Sequence, residues 1–194
     1  MADETTVSQY LTFSLDKEQF AVDISKVREV LEFSSVTKVP RTPDFMRGVI
    51  NLRGSVVPVI DLRLKLGLSR TEATIDTCVI IIEVDAQGEH LVLGALADSV
   101  QEVIDLDQKN IEPPPRIGTR VSIDFIRGIG KRDENFVMLL DINRVLTDEE
   151  IRAVGEGAAA AEGAPVDEGS GSAPGEGAPH PSAPPPPEPM VEAR

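Results

Sequence analysis

Histidine, cysteine and paired carboxylates are where a chain of this size would keep its chemistry, and here they are sparse. The 194 residues hold two histidines, His90 and His180, and one cysteine, Cys78. Neither histidine has a Cys or a second His at ligand spacing, so no metal site is expected. With no His near Cys78 or a serine, histidine supplies no nucleophile-and-base pair. Cys78, in "TCVIII", reads as a small apolar wall residue rather than a reactive thiolate. Among the carboxylates, Asp61 and Asp141 stand out because they close two similar phrases, "VVPVIDL" (56–62) and "FVMLLDI" (136–142). A duplicated carboxylate argues for capping of the turn that leaves a strand, in preference to acid–base work. "GIGKRDEN" (128–135) lacks the spacing of a phosphate-binding loop and precedes a strand instead of a helix. No catalytic residue and no cofactor is expected.

The elements that carry these residues are repeated. "DFMRGVI" (44–50) returns as "DFIRGIG" (124–130), an offset of 80 residues that also superimposes the two Asp phrases without a gap. "VREV" (27–30) and "VQEV" (100–103) match at an offset of 73, as do Pro40 and Pro113. One insertion of seven residues reconciles the two offsets. A unit this long points to two copies of one small domain, with halves at roughly 20–70 and 90–146. The local grammar is β. "YLTFSLDKEQFAV" reads as a hairpin with Phe13, Leu15, Phe20 and Val22 on one core face. "GVINLRGSVVPVIDL" gives a second hairpin bending at Arg53-Gly54-Ser55, with Pro58 confining its returning strand to an edge or a bulge. "CVIIIEV" is a continuous apolar run of the kind buried on both faces. Helices look short. Asp23 caps a candidate helix in "DISKVREVL", with Ile24, Val27 and Leu31 at helical spacing, though Val30 and Phe33 could equally begin a strand, and Thr147 with Glu150 forms a capping box in "TDEEIRAV". The expected fold class is all-β: two pseudo-symmetric barrels built from antiparallel hairpins, a few short helices and a C-terminal helix.

Composition divides the chain near residue 153. Residues 1–9 read as a flexible N-terminus, 10–152 as the folded domain and 153–194 as a disordered tail. That tail holds nine of the fifteen prolines, seven of the fifteen glycines and no aromatic residue, too little apolar surface to offset chain entropy. Of 33 acids and 19 bases, seven acids and one Arg lie in the tail, which leaves 26 against 18 in the folded part. The negative balance argues against nucleic acid and against anionic lipid. No apolar run approaches the ~18 residues of a membrane span, and a lone cysteine suits a reducing compartment. A cytoplasmic protein that meets other proteins or small molecules is expected.

The copies differ at the hairpin tip, "NLRG" (51–54) against "KRDE" (131–134). An Arg at a rigid tip projects a planar, permanently charged donor toward a partner. The run "FMRGVINLRGSVVPVIDLR", continued by "LVLGALADSVQEVIDLDQKNIEPPP" and "FIRGIGKRDENFVMLLDINRVL", resembles the CheW family of chemotaxis coupling proteins over about residues 10–152. The resemblance implies two five-stranded β-barrels packed together. It also implies an adaptor that joins the cytoplasmic tips of chemoreceptors to the regulatory domain of a CheA-type histidine kinase, recruited to membrane-associated arrays. Arg53, Gly48 and Gly54 match the family's NLRG region, and Glu29 its V-x-E segment. Val27, Val30, Cys78 and Val103 are placed on or near an apolar groove between the barrels that takes a receptor helix tip. The sequence leaves open the same role in a non-flagellar pathway, and a small-molecule-binding double barrel.

Overall fold

The computed structural model describes residues 6–86, 89–114, 123–132 and 135–163. In chain order the strands are β1 (Val7–Leu15), β2 (Glu18–Asp23), β3 (Val27–Glu32), β4 (Met46–Leu52) and β5 (Ser55–Asp61). After a one-turn helix α1 (Leu62–Lys65) come β6 (Cys78–Ala86), β7 (Glu89–Ala97), β8 (Ser99–Asp107), the two-residue β9 (Ile111–Glu112), β10 (Ile126–Arg132) and β11 (Asn135–Leu140). Helices α2 (Ile142–Val145) and α3 (Asp148–Glu162) end the described chain. The Asp23-capped segment is a three-residue helical turn, and the chain then extends as β3, so the strand alternative holds there.

The strands form two sheets, in the order β8-β1-β2-β11-β10-β9 and β3-β6-β7-β5-β4. Each sheet curls round so that its first edge strand and the segment reaching its far edge are neighbours in sequence. In the five-stranded sheet this segment is Thr37, bridged to Val49 of β4; in the other it is β9, paired to β10. The two sheets are therefore the same barrel built twice. The repeat is longer than the sequence suggested, because β1–β2 correspond to β6–β7, which moves each half's start back to Val7 and Cys78.

Neither barrel is made from one repeat. The first repeat's hairpin β1–β2 completes the barrel of β8 to β11, and the second repeat's hairpin β6–β7 completes that of β3 to β5. Two parallel pairings make the exchange, β2 on β11 through Phe20↔Met138 and β5 on β7 through Val59↔Gly94. The antiparallel-only expectation is thus corrected, since a hairpin borrowed from the other repeat arrives alongside its new neighbour in the same direction. Pro58 also lies on an internal strand, not an edge. Pro58 pairs with Val49 on β4, and the β5–β7 ladder begins only at Val59, where a donor is again present.

Both exchanged hairpins are buried on both faces. Phe13, Leu15, Phe20 and Val22 lie in the same cluster as Ile80, Ile82, Val84, Leu93, Ala95 and Ala97, so the largest core sits between the barrels. Opposite faces fill the barrel interiors, Tyr10 and Ala21 with Ile104 and Leu139 in one, Val79, Ile81 and Leu96 with Val57 and Val59 in the other. Burying one Leu or Ile of this kind contributes roughly 2–5 kcal/mol by the cost of truncating it.

The duplicated Phe-X-Arg-Gly phrase carries the same bulge in both copies. The register shifts between Met46 and Gly48, and likewise between Ile126 and Gly128, so each Arg is the extra residue of a bulge. Gly48, at φ +142°, faces the Thr37 carbonyl where a Cβ would collide, and a Cβ on Gly128 would lie 2.6 Å from Ile111 Cγ2 and 2.9 Å from the Glu112 carbonyl oxygen. The glycines let the closing strand approach. The Phe residues converge on one ammonium, with Lys65 Nζ 4.7 Å from the Phe45 ring centroid and 5.7 Å from that of Phe125.

Lys65 Nζ also lies 2.7 Å from the carboxylate of Glu150, which closes the capping box with Thr147 at the start of α3. The helix then runs to Glu162, ten residues past the expected end of the folded domain, with Val154 buried and Gly157 3.1–3.3 Å from Thr42 and Met46 by its would-be Cβ. Residues 153–162 are therefore folded, and the rest of the expected tail, 164–194, lies outside the described residues. Burial opposes ionisation of Glu150, but hydrogen bonds from Lys65 and Thr147 outweigh it and hold its pKa below the ordinary 4.5. A depressed carboxyl pKa contributes stability above the unfolded value and loses it as pH falls through the folded value. Glu150→Gln should accordingly cost about 1–2 kcal/mol in urea unfolding at pH 7, with the gap to wild type closing as the pH drops below about 4.5. A gap that stays constant across that range would contradict the role given to this ion pair.

Candidate functional site

At the tip of the β4–β5 hairpin the turn is two residues, Arg53 and Gly54, with φ +52° and +90°. Positive φ at both central positions is what the tight hairpin turn requires, and Gly54 supplies one at no steric cost. The Asn51 side-chain oxygen accepts from Gly54 N at 2.9 Å and stiffens the bend. Arg53 stands 79% exposed and donates from Nη2 to Glu29 Oε2 at 3.0 Å across to β3. An exposed pair of this kind contributes only about 0–1 kcal/mol to folding, so the arginine is free to change partners.

This pair forms the rim of an open groove of ≈630 Å³, lined by Arg28, Glu29 and Arg53, by Val56 and Pro58 of β5 and by Leu91 of β7. Its remaining wall is α3, through Gly155, Ala158, Ala159 and Glu162. The sequence reading missed that wall because "GEGAAAAE" carries no large apolar residue; small side chains are what let the helix lie close to β5. Arg28 was missed as well, and is held by an ion pair to Glu83.

The structure brings Arg53, Glu29 and Gly54 together, and Gly48 supports them from the bulge of the same hairpin. It does not gather the four apolar candidates into that groove. Val27 is half-buried against the shared core, and Cys78 opens β6 with its Sγ donating to the Asp76 carbonyl at 3.2 Å. Val30 and Val103 occupy equivalent positions on the edge strands β3 and β8, 39% and 46% exposed. The matching tip of the second hairpin, residues 133–134, lies outside the described residues.

The duplicated carboxylates cap α1 and α2, with Asp61 Oδ1 accepting from Arg63 N at 3.1 Å and Asp141 Oδ1 from Asn143 N at 3.3 Å. Asp61 is fully buried and its remaining capacity is spent on Arg47 and Thr71, which leaves no free oxygen for acid–base exchange. His90 is exposed beside Asp85, and Asp85 also pairs with Lys26; the bond between the last two raises the lysine pKa and lowers that of the carboxyl. Among the described residues no group of three His, Cys, Asp or Glu is placed to hold a metal ion, and no helix is long and apolar enough to cross a membrane.

Comparison with known proteins agrees with this double barrel. The CheW-like domain model matches residues 9–150. The chain is 34% identical to the chemotaxis protein CheW of Klebsiella aerogenes over 154 residues, 79% of this chain and 90% of that protein. It is 32% identical to protein FrzA of Myxococcus xanthus, covering 75% of this chain and 89% of the relative. The solved structure of the scaffolding protein TtCheW from Thermoanaerobacter tengcongensis superimposes with a TM-score of 0.66 at 34% identity, over 77% of this chain and 94% of that one.

The geometry separates two kinds of residue at this site. Gly48→Ala should lower stability by about 2 kcal/mol or more, because strained backbone and a blocked strand approach act together. Arg53→Ala should leave the urea midpoint nearly unchanged, within about 0.5 kcal/mol. A melted Arg53→Ala protein would show the tip arginine to be a structural residue.

Proposed function

This chain belongs to the CheW-like family of chemotaxis scaffolds, and we propose that it couples chemoreceptor tips to a CheA-type histidine kinase as a non-catalytic adaptor at the receptor array. The observation that carries this reading is the Arg53–Glu29 pair, an exposed and weakly stabilising ion pair held at a rigid hairpin tip over an open groove. Such a pair contributes little to the fold, and its arginine has the planar donor set favoured at interface hot spots. In this account the double barrel transmits by position. Its two halves are equivalent folds with different surfaces, so one face can hold a receptor while another holds the kinase regulatory domain. A change at the receptor reaches the kinase only where contacts differ between signalling states, since equal affinity for both states would transmit nothing. Val30 and Val103, the exposed aliphatic residues at matching edge positions, supply apolar anchors for partner elements, with Val27 and Cys78 as further candidates on the Val30 sheet. Gly48 and Gly54 fix the hairpin that presents Arg53.

The test is reconstitution of this protein with receptor-bearing membranes and a CheA-type kinase from the same cell, reading pelleting and kinase autophosphorylation together. Wild type should pellet with receptor and raise receptor-dependent kinase activity, and Arg53→Ala should weaken that coupling about tenfold while remaining folded. Full coupling by Arg53→Ala would remove the arginine from the interface, and failure of wild type to bind either partner from any receptor–kinase set of that cell would overturn the coupling role.

A further inference from the structure

The bulged arginine and the capping carboxylate of the two repeats are equivalent pairs, Arg47 with Asp61 and Arg127 with Asp141, but they are used differently. In the first repeat the pair grips a single residue of the loop between α1 and β6. Thr71 N donates to Asp61 Oδ2 at 3.0 Å and its hydroxyl to Asp61 Oδ1 at 2.8 Å, while its carbonyl accepts from Arg47 Nη1 at 2.9 Å. Arg47 Nη1 is also 3.2 Å from Asp61 Oδ2, so arginine and carboxylate form one unit that reads the amide, the hydroxyl and the carbonyl of a threonine. Thr71 is 2% exposed and Asp61 fully buried, which makes each of these bonds a strong, water-free one.

In the second repeat the chain takes another course. After α2 it passes through Leu146 into α3, which packs on β5 and β4 of the other barrel, so among the described residues no loop returns over Asp141. What remains is a cavity of ≈440 Å³ lined by Arg127, Asp141 and Arg144, by Asp23 and Lys26 at the end of β2 and by apolar Val22. Arg127 is exposed and has no hydrogen-bond or ion-pair partner among the described residues. Asp141 keeps only the α2 cap and a 3.3 Å contact with the exposed Arg144.

We propose that this cavity is a docking site for an extended peptide segment of a partner protein that presents a serine or threonine, bound as Thr71 is bound in the first repeat. The occupant is argued from the molecule itself, because the same pair of side chains on the same bulge-and-cap framework already holds such a segment once. Asp141 takes the amide and the hydroxyl of that residue, and Arg127 its carbonyl. This site is separate from the Arg53 groove and does not depend on the coupling role.

A capped synthetic peptide with the sequence of residues 68–74, LSRTEAT, serves as the probe, titrated to about 5 mM into isotope-labelled full-length protein and followed by backbone amide shifts. Saturable shifts centred on Arg127, Asp141 and Asn143 are expected. Affinity should fall about tenfold both in the Arg127→Ala protein and with a peptide carrying Thr71→Val. Arg127 is exposed and unpartnered, so its variant keeps the fold, which its unperturbed spectrum verifies. No saturable shift at the highest concentration, shifts centred on Asp61 instead, or binding indifferent to both substitutions would each overturn the proposal.

Discussion

The parallel pairings of β2 with β11 and of β5 with β7 are the constraint on which the remaining structure depends. Through them each barrel is closed by a hairpin from the other repeat, so neither repeat owns a complete sheet. The same exchange places the hairpins back to back and turns their outer faces into the largest core. Stability and relative orientation therefore come from one set of residues. Opening the interface between the barrels would also mean unmaking a sheet, which suits the proposed role of holding partners in fixed register.

Upon that framework the duplicated Phe-X-Arg-Gly phrase sets three local conditions in each copy. Glycine admits the closing strand, arginine is bulged out of the ladder beside the capping aspartate, and phenylalanine turns toward Lys65 near the junction of the copies. Lys65 then ties the start of α3 to that junction through Glu150, and α3 in turn walls the groove at Arg53. The path from a repeated heptad to the rim of the candidate interface is continuous, and each step is a named contact.

Much of this was legible in the sequence where a residue type answers a backbone demand. Gly48 and Gly128, Asp61 and Asp141, and the Thr147 capping box each satisfy a local requirement that few other residues meet, and the paired glycines and aspartates revealed the repeat by their spacing. The exchange of hairpins was not legible. "CVIIIEV" is buried on both faces, so it carries no alternating pattern to mark a neighbour or a register. The equivalence of β1–β2 with β6–β7 was hidden for the same reason, since only apolar character is shared. The extension of α3 was lost because glycine and alanine, read as tail composition, are here what close packing against Thr42 and Met46 requires. At the candidate site the sequence marked Arg53 and Glu29 singly, and their pairing across β3 and the hairpin tip is seen only in the structure; the apolar candidates lie elsewhere because repeat alignment says nothing about which edge a residue faces.

The central claim is that this rigid double barrel holds a receptor tip and a kinase regulatory domain at the same time on different surfaces. Sedimentation velocity on a mixture of the full chain, a soluble receptor-tip fragment and the isolated kinase regulatory domain tests it most directly. The account predicts a species heavier than either binary complex, containing all three components. Two binary complexes that replace one another on titration, with no ternary species at any ratio, would contradict it.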